Sequence, residues 1–113
     1  MKLYLLPACL LFVFLASCSY QKLEFEKESG KVNKVKVGEK FCISLPEDHK
    51  TNYYWTITHD YNLRYISYIA SVFHGTTVEF NFEAVRKGKT DITLHLSGYN
   101  EVKETKKFPV KVE

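Results

Sequence analysis

Apolar and polar residues alternate along much of the first half of the chain. Residues 35–37, 41–45 and 53–57 each hold apolar side chains at every second position. Such alternation turns one side of a β-strand towards a core and the other side towards solvent. Turn-forming residues, Gly38 and the Pro46-Glu47-Asp48 group, separate these segments. The pattern therefore predicts short strands joined by turns.

The second half of the chain repeats the pattern more strongly. Residues 78–84, 92–96 and 108–112 alternate apolar with polar side chains. The segment Arg86-Lys87-Gly88-Lys89 between the first two predicts a hairpin turn. Residues 63–73 fit a helical period about as well as a strand, but their β-branched and aromatic side chains favour a strand.

Short strands at this spacing, with no helix long enough for an α/β fold, are typical of a two-sheet sandwich. The predicted fold class is therefore all-β, an immunoglobulin-like antiparallel β-sandwich of about seven strands. We expect it to occupy residues 32–113, because a chain of 113 residues leaves room for a single domain after a targeting segment.

The N-terminus has the pattern of such a targeting segment. Lys2 precedes an almost unbroken apolar run, residues 3–15, which is too short to span a bilayer as a mature helix. Ala16-Ser17-Cys18 follows, and small residues before a cysteine resemble the bacterial lipobox. That resemblance implies a lipoprotein signal peptide at residues 1–17 and lipid, such as palmitate, on Cys18. An ordinary secretory signal or an N-terminal membrane anchor remains the alternative.

Lipidation would decide where the protein works. Each buried methylene of an acyl chain adds about 0.8 kcal/mol of membrane affinity, so several chains together hold a protein on a bilayer. We expect an exported protein of the cell envelope, lipid-anchored to a bacterial membrane and facing the periplasm or the surface. Residues 18–31 would form the lipidated N-terminus and a tether.

Charge and cysteine content exclude some classes of partner. The formal net charge of +3 falls to +2 without residues 1–17, whose only charged residue is Lys2. Such a mixed surface favours solubility and not nucleic-acid binding. We expect the domain to be a monomer. Cys9 lies in the signal and Cys18 is the lipid site, so Cys42 is left without a partner and is expected to be a buried core residue.

No catalytic constellation is visible in the sequence. The four histidines, His49, His59, His74 and His95, are scattered singly, and the five glycines are isolated. A metal site needs clustered ligands, and a phosphate-binding loop needs clustered glycines. We therefore expect no metal, no cofactor and no enzymatic activity.

The segment 37–55 contains a more specific motif. It reads Val-Gly-Glu at 37–39 and Leu-Pro-Glu-Asp-His-Lys-Thr-Asn-Tyr-Tyr-Trp at 45–55. This resembles the chagasin-like inhibitors of papain-type cysteine proteases, in which a V-G-E turn leads through a strand into L-P-x-N-P-T-T-G-F-x-W. The two agree, without a gap, at Val37, Gly38, Glu39, Leu45, Pro46, Thr51 and Trp55.

Later segments extend the resemblance over residues 32–113. Residues 80–96 are similar to the family's F-x-A-x-x-x-G-x-x-x-L-x-F pattern, and residues 107–112 look like its last strand. The glycine-rich second loop of the family is reduced here to residues 73–76. Its third motif, R-P-W or R-P-F, falls on residues 97–99, where the aromatic position is kept.

The resemblance implies an inhibitor whose three loops, at one end of the sandwich, enter the cleft of a papain-like cysteine protease. Thr51 would lie over the catalytic cysteine, and Tyr99 and Phe73 would be aromatic anchors. The expected protease-binding residues are Asp48, His49, Lys50, Thr51, Asn52, Phe73, His74, Gly75, Gly98 and Tyr99. The changed loop motifs leave open an alternative, a non-inhibitory immunoglobulin-like surface lipoprotein module that binds an envelope protein, a peptide or a glycan.

Overall fold

The computed structural model describes residues 20–23 and 31–113. The predicted signal peptide at 1–17, the predicted lipid site Cys18 and residues 19 and 24–30 of the predicted tether lie outside the described residues. In the described part of the chain, no helix is both long enough and apolar enough to cross a bilayer.

The described residues form eight strands in two four-stranded sheets. The strands are β1 (Gln21–Lys22), β2 (Asn33–Val35), β3 (Lys40–Pro46), β4 (Tyr54–Ile57), β5 (Ile66–Phe73), β6 (Thr77–Ala84), β7 (Gly88–Gly98) and β8 (Glu101–Val112). One sheet has the order β1-β3-β6-β5 and the other β2-β8-β7-β4. The all-β sandwich predicted from the alternation is confirmed.

The interior pairs of each sheet are antiparallel, whereas one edge pair of each sheet is parallel. Phe41 of β3 lies opposite Phe82 of β6, and Ile92 of β7 lies opposite Phe108 of β8, all four inward-facing. The short strands β1 and β2 instead run parallel to β3 and β8. Each is an edge strand of its sheet, and the side chain of Gln21 in β1 donates a hydrogen bond to the carbonyl of Lys34 in β2, which places the two strands next to each other.

The ambiguous segment 63–73 is a strand over most of its length, as predicted. β5 covers Ile66–Phe73 and pairs antiparallel with β6, with a register shift between Tyr68 and Ala70. A turn precedes it, in which the backbone N–H of Tyr65 donates to the carbonyl of Asn62 at 3.0 Å.

The hairpin predicted at residues 86–89 is wrong. β6 and β7 lie in different sheets, so the chain crosses from one sheet to the other at this point. The backbone N–H of Val85 donates to the carbonyl of Tyr65 at 2.8 Å and so fixes the crossing. Turn-forming residues are equally suited to both kinds of connection, which is why the local sequence does not separate them.

The core lies between the two sheets. The rings of Phe41 and Phe82 stack with centroids 5.4 Å apart, and Tyr61 approaches Phe82 edge-on at 6.1 Å. Trp55 is 6 % exposed, as expected of a core residue. Leu23, in the stretch expected to be a tether, is also buried in this core. Each such large apolar side chain contributes about 1.5–3 kcal/mol when it is removed from water.

Cys42 is fully buried, in agreement with its expected core position. It is nevertheless disulfide-bonded, to a partner that lies outside the described residues. The expectation that Cys42 has no partner is therefore wrong. A disulfide sulfur is not a thiolate, so Cys42 in this state is not a nucleophile.

Candidate functional site

Three connections meet at one end of the sandwich. We define the first loop as residues 47–53, between β3 and β4, the second loop as residues 74–76, between β5 and β6, and the third loop as residues 99–100, between β7 and β8. The first and second loops are joined where the backbone N–H of Glu47 donates to the carbonyl of Thr76 at 3.0 Å. We call this the loop end.

The first loop is compact because its polar side chains close it on itself. Its centre is a short 3₁₀ helix, His49–Thr51, and the side chain of Asp48 accepts a hydrogen bond from the backbone N–H of Lys50 at 3.0 Å. The hydroxyl of Thr51 donates to the carbonyl of Asp48 at 2.7 Å. Asn52 ends the helix with φ of +63°, a left-handed conformation that asparagine tolerates better than most residues.

A buried carboxylate holds this loop from beneath. Glu47 is only 7 % exposed. Its Oε1 accepts the backbone N–H of Trp55 at 2.6 Å, and its Oε2 lies 2.6 Å from His49 Nε2. A buried carboxylate with both oxygens engaged fixes its partners strongly, because charge-assisted hydrogen bonds are about twice as strong as neutral ones. Glu47 thus ties the first loop to the start of β4.

Ring stacking joins the first loop to the end of β5. The rings of His49 and Phe73 are nearly parallel, at 12°, with centroids 3.7 Å apart. Tyr54 approaches the same imidazole edge-on at 4.7 Å. In the second loop, Nε2 of His74 lies 2.9 Å from Oε1 of Glu79, a second buried carboxylate. Each of these two loops therefore carries a histidine held by a buried glutamate.

The third loop is a tight turn with two residues in the left-handed region, Tyr99 at φ of +51° and Asn100 at φ of +62°. Two consecutive positive φ values are typical of the hairpin turns that match strand twist. Tyr99 is 68 % exposed, and its hydroxyl oxygen accepts a hydrogen bond from Asn52 Nδ2 at 2.9 Å. This contact joins the first and third loops.

Gly98 makes that junction possible. A Cβ atom at this position would overlap the carbonyl oxygen of Asn52 and would lie 2.9 Å from Cδ1 of Tyr53. The neighbour that it would meet first is backbone, which cannot rotate away. The absence of a side chain at Gly98 therefore lets the first loop lie directly against the end of β7.

Tyr53 links the first loop to β8 through a hydrogen bond and a cation–π contact. Its hydroxyl donates to Oε2 of Glu101 at 3.1 Å, and Nζ of Lys103 lies 4.7 Å from its ring centroid. The pKa of the Tyr53 hydroxyl is raised, first by loss of hydration and then by the bond to Glu101. A cleft of about 420 Å³ opens beside it, lined by residues that include Thr51, Gly75 and Lys103.

The ten predicted site residues all lie in these loops or in the strand residues that flank them. Nine of the ten are exposed, and Gly98 is half-buried. The structure brings three pairs of these residues into direct contact: His49 with Phe73, Asn52 with Tyr99, and Asn52 with Gly98. Sequence reasoning missed Glu47 and Tyr53, which position the loops. In the sequence, the one feature that points to a role for Glu47 is the histidine two residues later, with which its carboxylate pairs.

The domain that carries this loop end is similar to known proteins. The family model described as "Chagasin family peptidase inhibitor I42" matches residues 34–112. A search of curated proteins finds no match. Among solved structures, the chain is similar to the cysteine protease inhibitor EhICP2 from Entamoeba histolytica, with 18 % identity, a TM-score of 0.64 and coverage of 73 % of this chain and 85 % of that one. It is also similar to amebosin, with 17 % identity, a TM-score of 0.53 and coverage of 85 % and 100 %. At such identities the two structures show a shared fold.

Proposed function

Because the chain belongs to the chagasin family of peptidase inhibitors, we propose that it inhibits papain-like cysteine proteases by placing its three loops in the active-site cleft. The observation that carries this proposal is the direct contact between loops that are far apart in sequence. Asn52 and Tyr99 are hydrogen-bonded, and His49 and Phe73 are stacked. The three loops therefore form one rigid surface, which a monomer would present to a single protease.

Bracing matters for affinity because binding costs the entropy of every group that becomes ordered. A loop held at both ends by strands and internally by Glu47 has little freedom left to lose. An interface of about 800 Å² per partner then suffices for tight binding. Tyr99, at 68 % exposure, and Phe73, at 39 %, supply the aromatic area that dominates such interfaces.

The same bracing explains how the loop would escape cleavage. A protease cuts a chain whose scissile carbonyl is aligned with the nucleophile, and a small misalignment slows the reaction greatly. Thr51 lies at the end of a 3₁₀ helix and is followed by a left-handed residue. Its hydroxyl is bonded to the carbonyl of Asp48. Extending this segment would break those bonds, so Thr51 would cover the catalytic cysteine without presenting a reactive peptide.

Inhibition of papain by purified residues 18–113 tests the proposal. Residual activity would be followed against inhibitor concentration for the unchanged chain and for Thr51→Arg and Tyr99→Ala. We expect nanomolar inhibition by the unchanged chain and a loss of roughly a hundredfold in each variant, because each residue would lie at the centre of the interface. Since both side chains are exposed, the free energy of unfolding should change by no more than about 1 kcal/mol.

Matched controls separate a loop effect from a general one. Thr105→Arg introduces the same charge on the exposed face of β8, and Tyr20→Ala removes an exposed tyrosine far from the loop end. Both should inhibit like the unchanged chain. Full inhibition by both loop variants would show that the loops are wrongly assigned. A folded chain without effect at tens of micromolar would favour the envelope-binding module instead.

We also propose that Cys18 carries lipid and anchors the exported protein to a bacterial envelope membrane. The chain has three cysteines, so the disulfide of Cys42 can involve only Cys9 or Cys18. Cleavage before Cys18 and a lipid thioether on its sulfur would exclude both partners, so Cys42 of the mature protein would be a thiol, not a disulfide, in the core. Support comes from the sequence alone: an apolar run followed by Ala16, Ser17 and a cysteine. Expression of the full chain with labelled palmitate should give labelled protein in the membrane fraction. Cys18→Ala should abolish the label and leave the precursor uncleaved. Equal labelling of both forms would contradict the assignment.

A further inference from the structure

The end of the sandwich opposite the three loops carries three lysines side by side. Lys34 of β2 lies directly opposite Lys111 of β8, and Lys111 lies directly opposite Lys89 of β7. The next residues along the strands, Val35 and Val112, are buried, so the lysines face outwards. We call these three residues the lysine row.

Such a row works against the stability of the sheet, because like charges directly opposite each other on neighbouring strands repel. Among the described residues, its one ion pair is that between Lys111 and Glu113, at 3.6 Å, while Lys34 and Lys89 form none. Elsewhere on β8, Lys106 lies 3.1 Å from Glu104 and is neutralised locally. Two of the three lysines therefore have no opposite charge beside them among the described residues, which points to an external anion.

The surroundings of the row add to the positive charge. A hollow of about 410 Å³ opens beside it and is lined by Lys87, Lys89 and Lys111, with Glu113 as the acidic member. Arg86 precedes this group and is exposed. A shallow site with several ammonium groups suits a phosphate-bearing headgroup, because ammonium groups act as mobile point charges that need no fixed geometry.

The chain enters the domain next to this row. The side-chain amide of Gln21 in β1 donates to the backbone carbonyl of Lys34 at 3.0 Å. Cys18 precedes Gln21 by three residues, which reach at most about 11 Å when extended. Lipid on Cys18, as proposed above, would therefore bring the bilayer to the lysine row, and this step rests on that proposal.

We propose that the lysine row and its basic neighbours dock on the anionic phospholipid headgroups of the membrane, so that the three loops point away from the bilayer. The acyl anchor then holds the domain at the membrane, and the basic face fixes its orientation there. The phosphate groups of the lipid then supply the negative charge that balances the lysine row.

Sedimentation with vesicles tests the basic face without the anchor. Residues 18–113, which contain every strand and core contact described, would be produced without the signal and hence without lipid. Vesicles would be phosphatidylcholine alone, or phosphatidylcholine and phosphatidylglycerol in equal parts. We expect binding only to the anionic vesicles, weakened by added salt. Since each lysine near such a surface adds about a fivefold factor, Lys34→Gln/Lys89→Gln/Lys111→Gln should reduce partitioning about a hundredfold.

The matched control removes three exposed lysines elsewhere, Lys50→Gln/Lys103→Gln/Lys107→Gln, and should bind almost like the unchanged chain. Removal of the lysine row should not lower the unfolding midpoint, because it relieves repulsion, so loss of folding does not confound the result. Equal losses in the two triple variants, or no preference for anionic vesicles, would overturn the proposal. Tighter binding to duplex DNA than to the vesicles would also overturn it. Each of these results is independent of protease inhibition.

Discussion

The side chain of Glu47 holds several parts of the loop end together. Its two oxygens engage the backbone of Trp55 and the imidazole of His49, and the latter stacks on Phe73. One carboxylate thus orders the first loop and, through a ring, the strand that leads to the second loop. A buried charge is tolerated only where such partners are present, because an unpaired one costs several kcal/mol.

Glu47→Gln tests this arrangement. The amide keeps the shape of the side chain but turns the charge-assisted bonds into neutral ones, so we expect the free energy of unfolding to fall by about 1–2 kcal/mol. Inhibition should weaken about tenfold as the first loop loosens. Denaturant unfolding and papain titration measure the two effects. Glu104→Gln, which removes an exposed partner of Lys106, should change neither measurably; equal losses in the two variants would argue against a special role for Glu47.

At the scale of the element, the first and third loops form one unit because β7 ends in a glycine. Gly98→Ala places a methyl group against the carbonyl oxygen of Asn52 and should push the two loops apart. We expect inhibition to weaken at least about tenfold, with a cost of about 1–3 kcal/mol in unfolding free energy. Gly38→Ala, with φ of +91° but open space around it, should cost stability alone. Unimpaired inhibition by Gly98→Ala would show that the close approach is dispensable.

The hydrogen bond between Asn52 and Tyr99 can be isolated by a double-mutant cycle. Asn52→Gly keeps the left-handed backbone and Tyr99→Phe keeps the ring, so each removes the contact and little else. We expect the two changes to be coupled by about 0.5–1 kcal/mol in unfolding free energy. Asn52→Gly combined with the distant Tyr20→Phe should be additive within about 0.3–0.5 kcal/mol. If Asn52→Gly and Tyr99→Phe were additive, the hydrogen bond would contribute no more to stability than the hydrogen bonds that both groups form with water in its absence.

The strands could be predicted from the sequence because alternation is a local property. The turns at Asp48 and Asn52 could also be predicted, since both residue types favour such positions for their own chemistry. Which sheet a strand joins is not a local property, so the sequence does not distinguish the crossing from β6 to β7 from a hairpin. The burial of Glu47 depends in the same way on how β3 and β4 lie across from each other. The lysine row requires the register of three strands, which spacing along the chain does not reveal.

At the scale of the whole molecule, the two functional surfaces proposed here are separated by the sandwich. β7 runs from Gly88, beside the lysine row, to Gly98, at the third loop, and β8 returns over the same distance. The buried core between the sheets includes Ile92 and Phe108, which make a rigid spacer of the two paired strands. One end can therefore bind a surface while the other end stays free.

This separation predicts that membrane binding leaves inhibition intact. Residues 18–113 bound to vesicles of phosphatidylcholine and phosphatidylglycerol in equal parts should inhibit soluble papain with a constant within about twofold of that in solution, because distant sites without shared contacts behave additively. Phosphatidylcholine vesicles alone are the control for non-specific effects on the protease. A loss of inhibition on anionic vesicles that the triple variant of the lysine row avoids would mean that the bound domain lies with its loops against the bilayer. Equal inhibition by the bound and free forms would place the loops in solvent, where a protease in the surrounding medium can reach them.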